Sequence, residues 1–314
     1  MDKLIISTSP HFLRKVPTSS IMRDVIIALM PASVAAVVFF GFKALIMIAV
    51  SVGCAVASEF LFNLICKKKQ TVGDLSAIVT GLLLALNLPA TVSVWQCVVG
   101  SIFAIVIVKC VFGGIGCNFA NPAITARVFL LIAFSTSVAG GAASALAPEL
   151  ASSATPLEVI KSGSGELPSL LDMFLGNRGG AIGETCALAL LIGFAYLLVR
   201  RVINWHTPVI FVGTVFLLSL AIQQNLVLAT YQVLGGGLLI GAIFMATDYS
   251  TTPINKGGKM VFALGCGIIT VLIRFFGSYP EGVSFAILFM NILSPFIEKL
   301  CARRPFGGIK HGKK

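Results

Sequence analysis

The sequence predicts an all-α polytopic membrane protein, with about ten transmembrane helices in two inverted five-helix repeats. Three observations predict this: too few charges for a water-exposed surface, ten apolar runs of spanning length, and an echo between the two halves of the chain. Of 314 residues, 57% are hydrophobic and only 11% charged, with a mean hydropathy of +0.98. A soluble domain carries roughly 25% charged residues, so the surplus apolar surface has to face lipid.

The runs fall near 24–41, 43–66, 75–88, 93–112, 123–138, 183–203, 207–223, 228–247, 259–277 and 282–300. A hydrocarbon core about 30 Å thick takes roughly 20 residues of helix. Lipid offers no water to a loose backbone, so runs of this length are helices rather than the shorter, alternating strands of a barrel. The first 23 residues hold no apolar stretch with a cleavage site and are not read as a removable signal.

The net charge of +11 would suit nucleic acid, but charge asymmetry between membrane faces explains it and excludes a nucleic-acid partner. Ten spans put both termini on one face. Nineteen Lys and Arg fall on that face, Lys109 and Arg127 among them, against four on the other: Lys43, Lys161, Arg178 and Arg274. The positive-inside rule then places both termini in the cytoplasm. The eight cysteines include no C-x-x-C pair and read as buried and structural; only Cys117, beside a Gly-rich break, is placed to approach a neighbouring subunit's cofactor.

One long connection divides the chain into a first membrane half (1–138), a loop on the face opposite the termini (139–182), and a second membrane half with a basic tail (183–314). Between the halves, Gly81-Leu-Leu-Leu-Ala-Leu-Asn-Leu-Pro89 followed by Gly100 and Lys109 echoes Gly241-Ala-Ile-Phe-Met-Ala-Thr247 and Pro253 followed by Gly265 and Arg274. Pro-to-Gly spacings are 11 and 12, and Pro-to-basic spacings 20 and 21. With five spans per half the repeat is inverted, and such repeats meet at a site lined by interrupted helices. Two polar interruptions read as the corresponding ones: Phe112-Gly-Gly-Ile-Gly-Cys-Asn118-Phe-Ala-Asn121-Pro122, and Thr247-Asp248-Tyr-Ser-Thr-Thr-Pro253. Asn118 and Asn121 both donate and accept, which suits an amide- and imide-rich ring edge such as an isoalloxazine. The plainer reading makes Asn121 the cap of a helix opened by Pro122.

Acids inside spans are expensive and mark pathways. Glu59 lies within the second run, Glu184 opens the sixth, and Asp248 sits at the second interruption with Thr247, Ser250 and Thr251, an oxygen-rich group of the kind hard cations prefer. The alternatives are helix caps for Asp248 and Glu184 and an interhelical hydrogen bond for Glu59. Lys109 and Arg274, near helix ends, either snorkel to the membrane surface or hold a phosphate. In the long loop, Glu149-Leu-Ala-Ser152-Ser153-Ala154-Thr155-Pro156 places a hydroxyl before proline in an exposed turn.

These segments together resemble one family over nearly the whole chain: the D subunit of the Rnf ion-translocating ferredoxin:NAD oxidoreductase, related to the B subunit of the sodium-pumping NADH:quinone reductase. The resemblance is carried by Ser9-Pro10-His11, Ile21-Met-Arg-Asp-Val25, the Asp74–Pro89 stretch, Gly113–Arg127, Ser152–Leu157, Gly176–Glu184 and Met245-Ala-Thr-Asp248, in that order. It implies an FMN attached through its phosphate to Thr155 by a flavin transferase, at an Asp-x-x-Ser/Thr-Gly/Ser-Ala-Thr motif. Glu149 replaces the Asp of that motif, and Ser153 stands at its Gly position, where the motif also admits Ser. It also implies a second, noncovalent riboflavin near Asn118 and Asn121, and lets Arg178 with Gly179, Gly180 and Gly183 serve the FMN phosphate. The implied setting is the inner membrane of a prokaryotic cell, with the other Rnf subunits and the lipid bilayer as partners and Na+ or H+ as the translocated ion.

No nicotinamide fingerprint or nucleophile–base set is present, so the expected activity is electron relay within a multi-subunit translocase. The rivals are a solute transporter or channel, which two inverted halves would equally suit, and a purely structural scaffold.

Overall fold

Pro17 holds the chain extended, and α1 (Thr18–Phe40) starts directly after it; Gly41, at φ 69°, turns the chain into α2 (Phe42–Ile65). A single 3-10 turn precedes α3 (Ser76–Leu86). Ser93 and Gln96 form a reciprocal capping box for α4 (Val94–Ile102), which continues as a π-helix over Phe103–Cys110. After a glycine-rich loop come α5 (Pro122–Ala133), α6 (Ser135–Val138), α7 (Pro156–Ser162) and α8 (Leu170–Leu175). The second half contains α9 (Ala187–Val199), α10 (His206–Gln223), α11 (Leu226–Leu234), α12 (Leu238–Ile240) with a π-helix over Gly241–Met245, α13 (Lys256–Phe276) and α14 (Val283–Leu300). This computed structural model describes residues 17–138, 155–163, 167–277, 279 and 281–301. Among the described residues no β-strand forms; one antiparallel bridge joins Pro89 to Ala181.

The ten apolar runs thus become ten helical units of a polytopic membrane protein, but they are unequal. Helices α1, α2, α10, α13 and α14 are long enough to cross a bilayer, and α11 with α12 makes a sixth unit bent by 60°. The remaining four units fall short: α3, of 11 residues, spans about 16 Å at 1.5 Å per residue. The spans that hydropathy predicts are thus unequal in length, and one of them is broken. Helix α3 is nearly all buried, from Ser76 to Leu86, whereas α2 presents Phe42, Leu61 and Ile65 outward as a lipid-facing surface.

The same neighbours recur in each half. Helix α2 packs on α3 and α4, and α4 with its π segment packs on α5; correspondingly α10 packs on α11 and α13, and α13 on α14. The echoing segments meet directly, Asn87 Nδ2 lying 3.7 Å from Met245 Sδ. The two polar interruptions, however, follow the fourth and eighth units and share one face, whereas an inverted repeat would place equivalents on opposite faces. They are partners at one site, not repeat equivalents.

Helices α1 and α9 form the seam between halves. Buried Asp24 accepts hydrogen bonds from Tyr196 Oη (3.2 Å) and Arg200 Nη2 (3.2 Å). A Cβ on Gly193 would overlap the Ala28 carbonyl oxygen. Gly193→Ala is expected to cost about 1–3 kcal/mol by wedging this seam, read as a lowered thermal midpoint in detergent. Gly53→Ala, with nothing within 4 Å of the new methyl, should not lower it.

Candidate functional site

On the face shared by the termini a cleft opens between the halves. Its walls come from α1 (Met22, Val25), α3 (Ser76, Thr80), Lys109, the loop residues Asn118 and Asn121, and the segment Thr247–Ser250. Both interruptions singled out in the sequence therefore line one cavity. Asn121 is the N-cap of α5, its Oδ1 accepting from Ala123 N (3.1 Å) and Ile124 N (3.4 Å). Its Nδ2 donates to no described residue. Asn118 Oδ1 is buried without a partner among the described residues. Asp248 Oδ2 accepts from the hydroxyls of Ser250 and Thr251, each at 3.1 Å, while Thr247 donates instead to the Ile243 carbonyl.

Lys109 neither snorkels nor stays free for a phosphate. The π-helix turns it inward, 2% exposed, with Nζ 2.9 Å from both carboxylate oxygens of Glu59 and 2.6 Å from Ser76 Oγ. Glu59, 1% exposed, also accepts from Thr71 Oγ1 (2.6 Å). The cleft therefore has a compensated cation and a hydroxyl-bonded carboxylate, but no free positive charge among the described residues of its walls.

The opposite face gathers the other candidates. Thr155 is not in an exposed turn: it caps α7, its Oγ1 3.4 Å from Glu158 N, and is 7% exposed because α7 packs against α11. Ser152 and Ser153 lie outside the described residues. Arg178 points inward and gives its Nε and Nη2 protons to the carbonyls of Thr185 (3.4 Å), Glu184 (2.9 Å) and Leu234 (2.7 Å). The glycines beside it serve packing: a Cβ on Gly180 would meet Glu184 Oε1 at 2.8 Å, and one on Gly183 would meet Leu86 at 2.5 Å. Glu184 is buried, with Oε2 unpartnered among the described residues.

At the bend between α11 and α12, Gly236 and Gly237 both adopt φ 65°, a backbone that side chains rarely take. The carbonyls exposed there are occupied by arginine. Arg274 Nη1 donates to Gln232 O (2.5 Å), and its Nη2 donates to Gly235 O (3.2 Å) and Gly236 O (3.3 Å). Arg127 pairs with Glu281 and donates to Ser284 Oγ (2.9 Å). Four of the basic residues counted on membrane faces are thus buried ligands of the protein itself. Removing Lys109 and Arg127 from nineteen leaves seventeen, and removing Arg178 and Arg274 from four leaves two, so the asymmetry survives.

A sequence model of the NQR2, RnfD, RnfE family matches residues 5–307. The chain is 45% identical to the D subunit of the Na(+)-translocating ferredoxin:NAD(+) oxidoreductase complex of Acetobacterium woodii, covering 99% of this chain and 98% of that one. It is 39% identical to the D subunit of the proton-translocating ferredoxin:NAD(+) oxidoreductase complex of Clostridium ljungdahlii, over 96% of each. It is 33% identical to the D subunit of an ion-translocating oxidoreductase complex of Methanosarcina acetivorans, over 98% and 99%. With a match that runs nearly end to end and relatives of the same length, the chain belongs to the NQR2, RnfD, RnfE family.

Proposed function

We propose that this chain is the membrane electron-relay subunit of an ion-translocating ferredoxin:NAD oxidoreductase complex in a prokaryotic cell membrane, with its termini in the cytoplasm. In this reading Thr155 carries an FMN esterified through its phosphate by a flavin transferase, and the cleft holds a noncovalent riboflavin. Flavins supply one-electron transfer; the chain supplies their position and electrostatic setting. The full-length relatives support the complex, and their names include both a sodium and a proton translocator, so the coupled ion is Na+ or H+.

The observation that carries the riboflavin assignment is the unpartnered Asn118 carbonyl in a mostly apolar cleft. A flavin's pyrimidine edge offers an N–H flanked by carbonyls, which meets that acceptor and the donors of Asn121 Nδ2. Among the described lining residues no cation is uncompensated, which favours a ring without a phosphate, since a dianion would face Asp248. Of the three acids proposed for the ion pathway, Asp248 lines this cleft, Glu59 is bound to Lys109, and Glu184 stands on the opposite face.

Denaturing the purified complex and separating free from bound flavin tests this. The wild type should release riboflavin and retain FMN on the chain. Asn118→Leu should weaken retention of the releasable flavin about tenfold, for a lost hydrogen bond worth about 1.4 kcal/mol, with the bound FMN unchanged. FMN in the released fraction, or no flavin in either, contradicts the assignment.

A further inference from the structure

On the face opposite the termini a second cavity, of about 180 Å³, lies between α7 and the ends of α10 and α13. Leu157 and Lys161 from α7, Gln223, Gln232 and Arg274 line it. Two buried polar atoms of this wall have no partner among the described residues: Arg274 Nε and Gln223 Oε1. Arg274 is 4% exposed. Of its five N–H donors, those on Nη1 and Nη2 are spent on Gln232 and on the carbonyls of Gly235 and Gly236. The guanidinium is therefore held rigid, and Nε–H is the donor left over. An unpartnered buried group costs about 1–3 kcal/mol, more when charged, and that cost is relieved only by something that enters the cavity.

What enters has to offer an acceptor to Nε and a donor to Oε1. A simple anion satisfies the arginine but requires the Gln223 amide to turn over and present its NH2 in place of the buried oxygen. A lactam edge, carbonyl beside N–H, satisfies both. Thr155 starts the helix that forms one wall, and Lys161 lies six residues on, about 9 Å along its axis at 1.5 Å per residue. A ribityl phosphate spans that interval. A cavity of about 150 Å³ admits benzene, so this one admits a single six-membered ring end-on rather than a whole tricycle.

We propose that this cavity receives the pyrimidine end of the flavin tethered to Thr155, with a ring carbonyl accepting from Arg274 Nε–H and the adjacent ring N–H donating to Gln223 Oε1. The proposal rests on the Thr155 reading above and adds the ring's seat and its electrostatic tuning. A fixed cation against the pyrimidine end favours the reduced ring, whose added charge gathers there. Lys161, which donates to the carbonyls of Gly277 and Tyr279, closes the mouth over it.

The test uses the complex purified from a host that attaches flavin, comparing wild type with Gln223→Leu, Arg274→Gln and the exposed control Gln224→Leu. All should show equal flavin fluorescence on the denatured chain. Gln223→Leu should move the absorption bands of the attached flavin toward those of FMN in water. Arg274→Gln should lower the ratio of reduced to oxidised flavin at fixed potential about tenfold, equivalent to about 59 mV for a one-electron couple. If Arg274→Gln does not accumulate, the Gln223→Leu spectrum decides, because Gln223 Oε1 makes no hydrogen bond among the described residues whose loss would disturb the fold. Full attachment with an unchanged Gln223→Leu spectrum overturns the seat and leaves Thr155 standing; a wild type with no attached flavin overturns both.

Discussion

If Thr155 carries the proposed flavin, Thr155→Val is expected to remove all flavin fluorescence from the denatured chain and to reduce ferredoxin-to-NAD electron flow in membranes to background. The substitution keeps the side-chain shape and deletes the oxygen through which a phosphoester forms. Its structural cost is small. The hydroxyl caps a seven-residue helix through one long contact of 3.4 Å, and loss of a cap costs about 0.5–2 kcal/mol. An unchanged thermal midpoint would separate loss of flavin from loss of fold, and Thr155→Ser restores an oxygen at the same place as a control. Fluorescence persisting in the valine variant would move the attachment elsewhere and remove the basis of the relay reading.

The second large effect concerns the ion pair under the cleft. Lys109 and Glu59 are almost wholly buried, and each is the other's compensation. Lys109→Met or Glu59→Met alone strands a charge in a low-dielectric interior, expected to cost about 3–5 kcal/mol. The double substitution strands none, and replacing a buried pair by apolar side chains is often neutral or stabilising. The expected pattern is two poorly accumulating single variants and a double variant whose thermal midpoint returns near wild type. Additive losses across the cycle would show that the two groups act independently.

Much of the architecture was legible in the chain because the hydrophobic signal is local. The ten runs mark ten helical units, and Asn121 before Pro122 marks a helix start that the structure bears out. Short units are partly visible in the runs themselves, since 75–88 holds only fourteen residues, whereas the bend at Gly236 and Gly237 escaped because glycine does not interrupt an apolar stretch. The buried charges escaped for a different reason. Glu59 and Lys109 stand 50 residues apart, and Arg127 reaches Glu281 across 154; no periodicity links such positions, so each reads as a loop or pathway charge. Gln223 carries no signal at all, since a glutamine near a helix end is commonplace. Its distinction, a buried oxygen without a partner among the described residues, exists only in three dimensions.

The kink between α11 and α12 has a bearing on where a travelling ion can go. In bent membrane helices the leftover carbonyls commonly act as sockets for sodium. Here Arg274 and Arg178 fill those sockets from within the same chain, at an effective concentration that dissolved sodium does not reach. At the elbow of the eighth unit these oxygens already have guanidinium partners, so they are not vacant for a second cation.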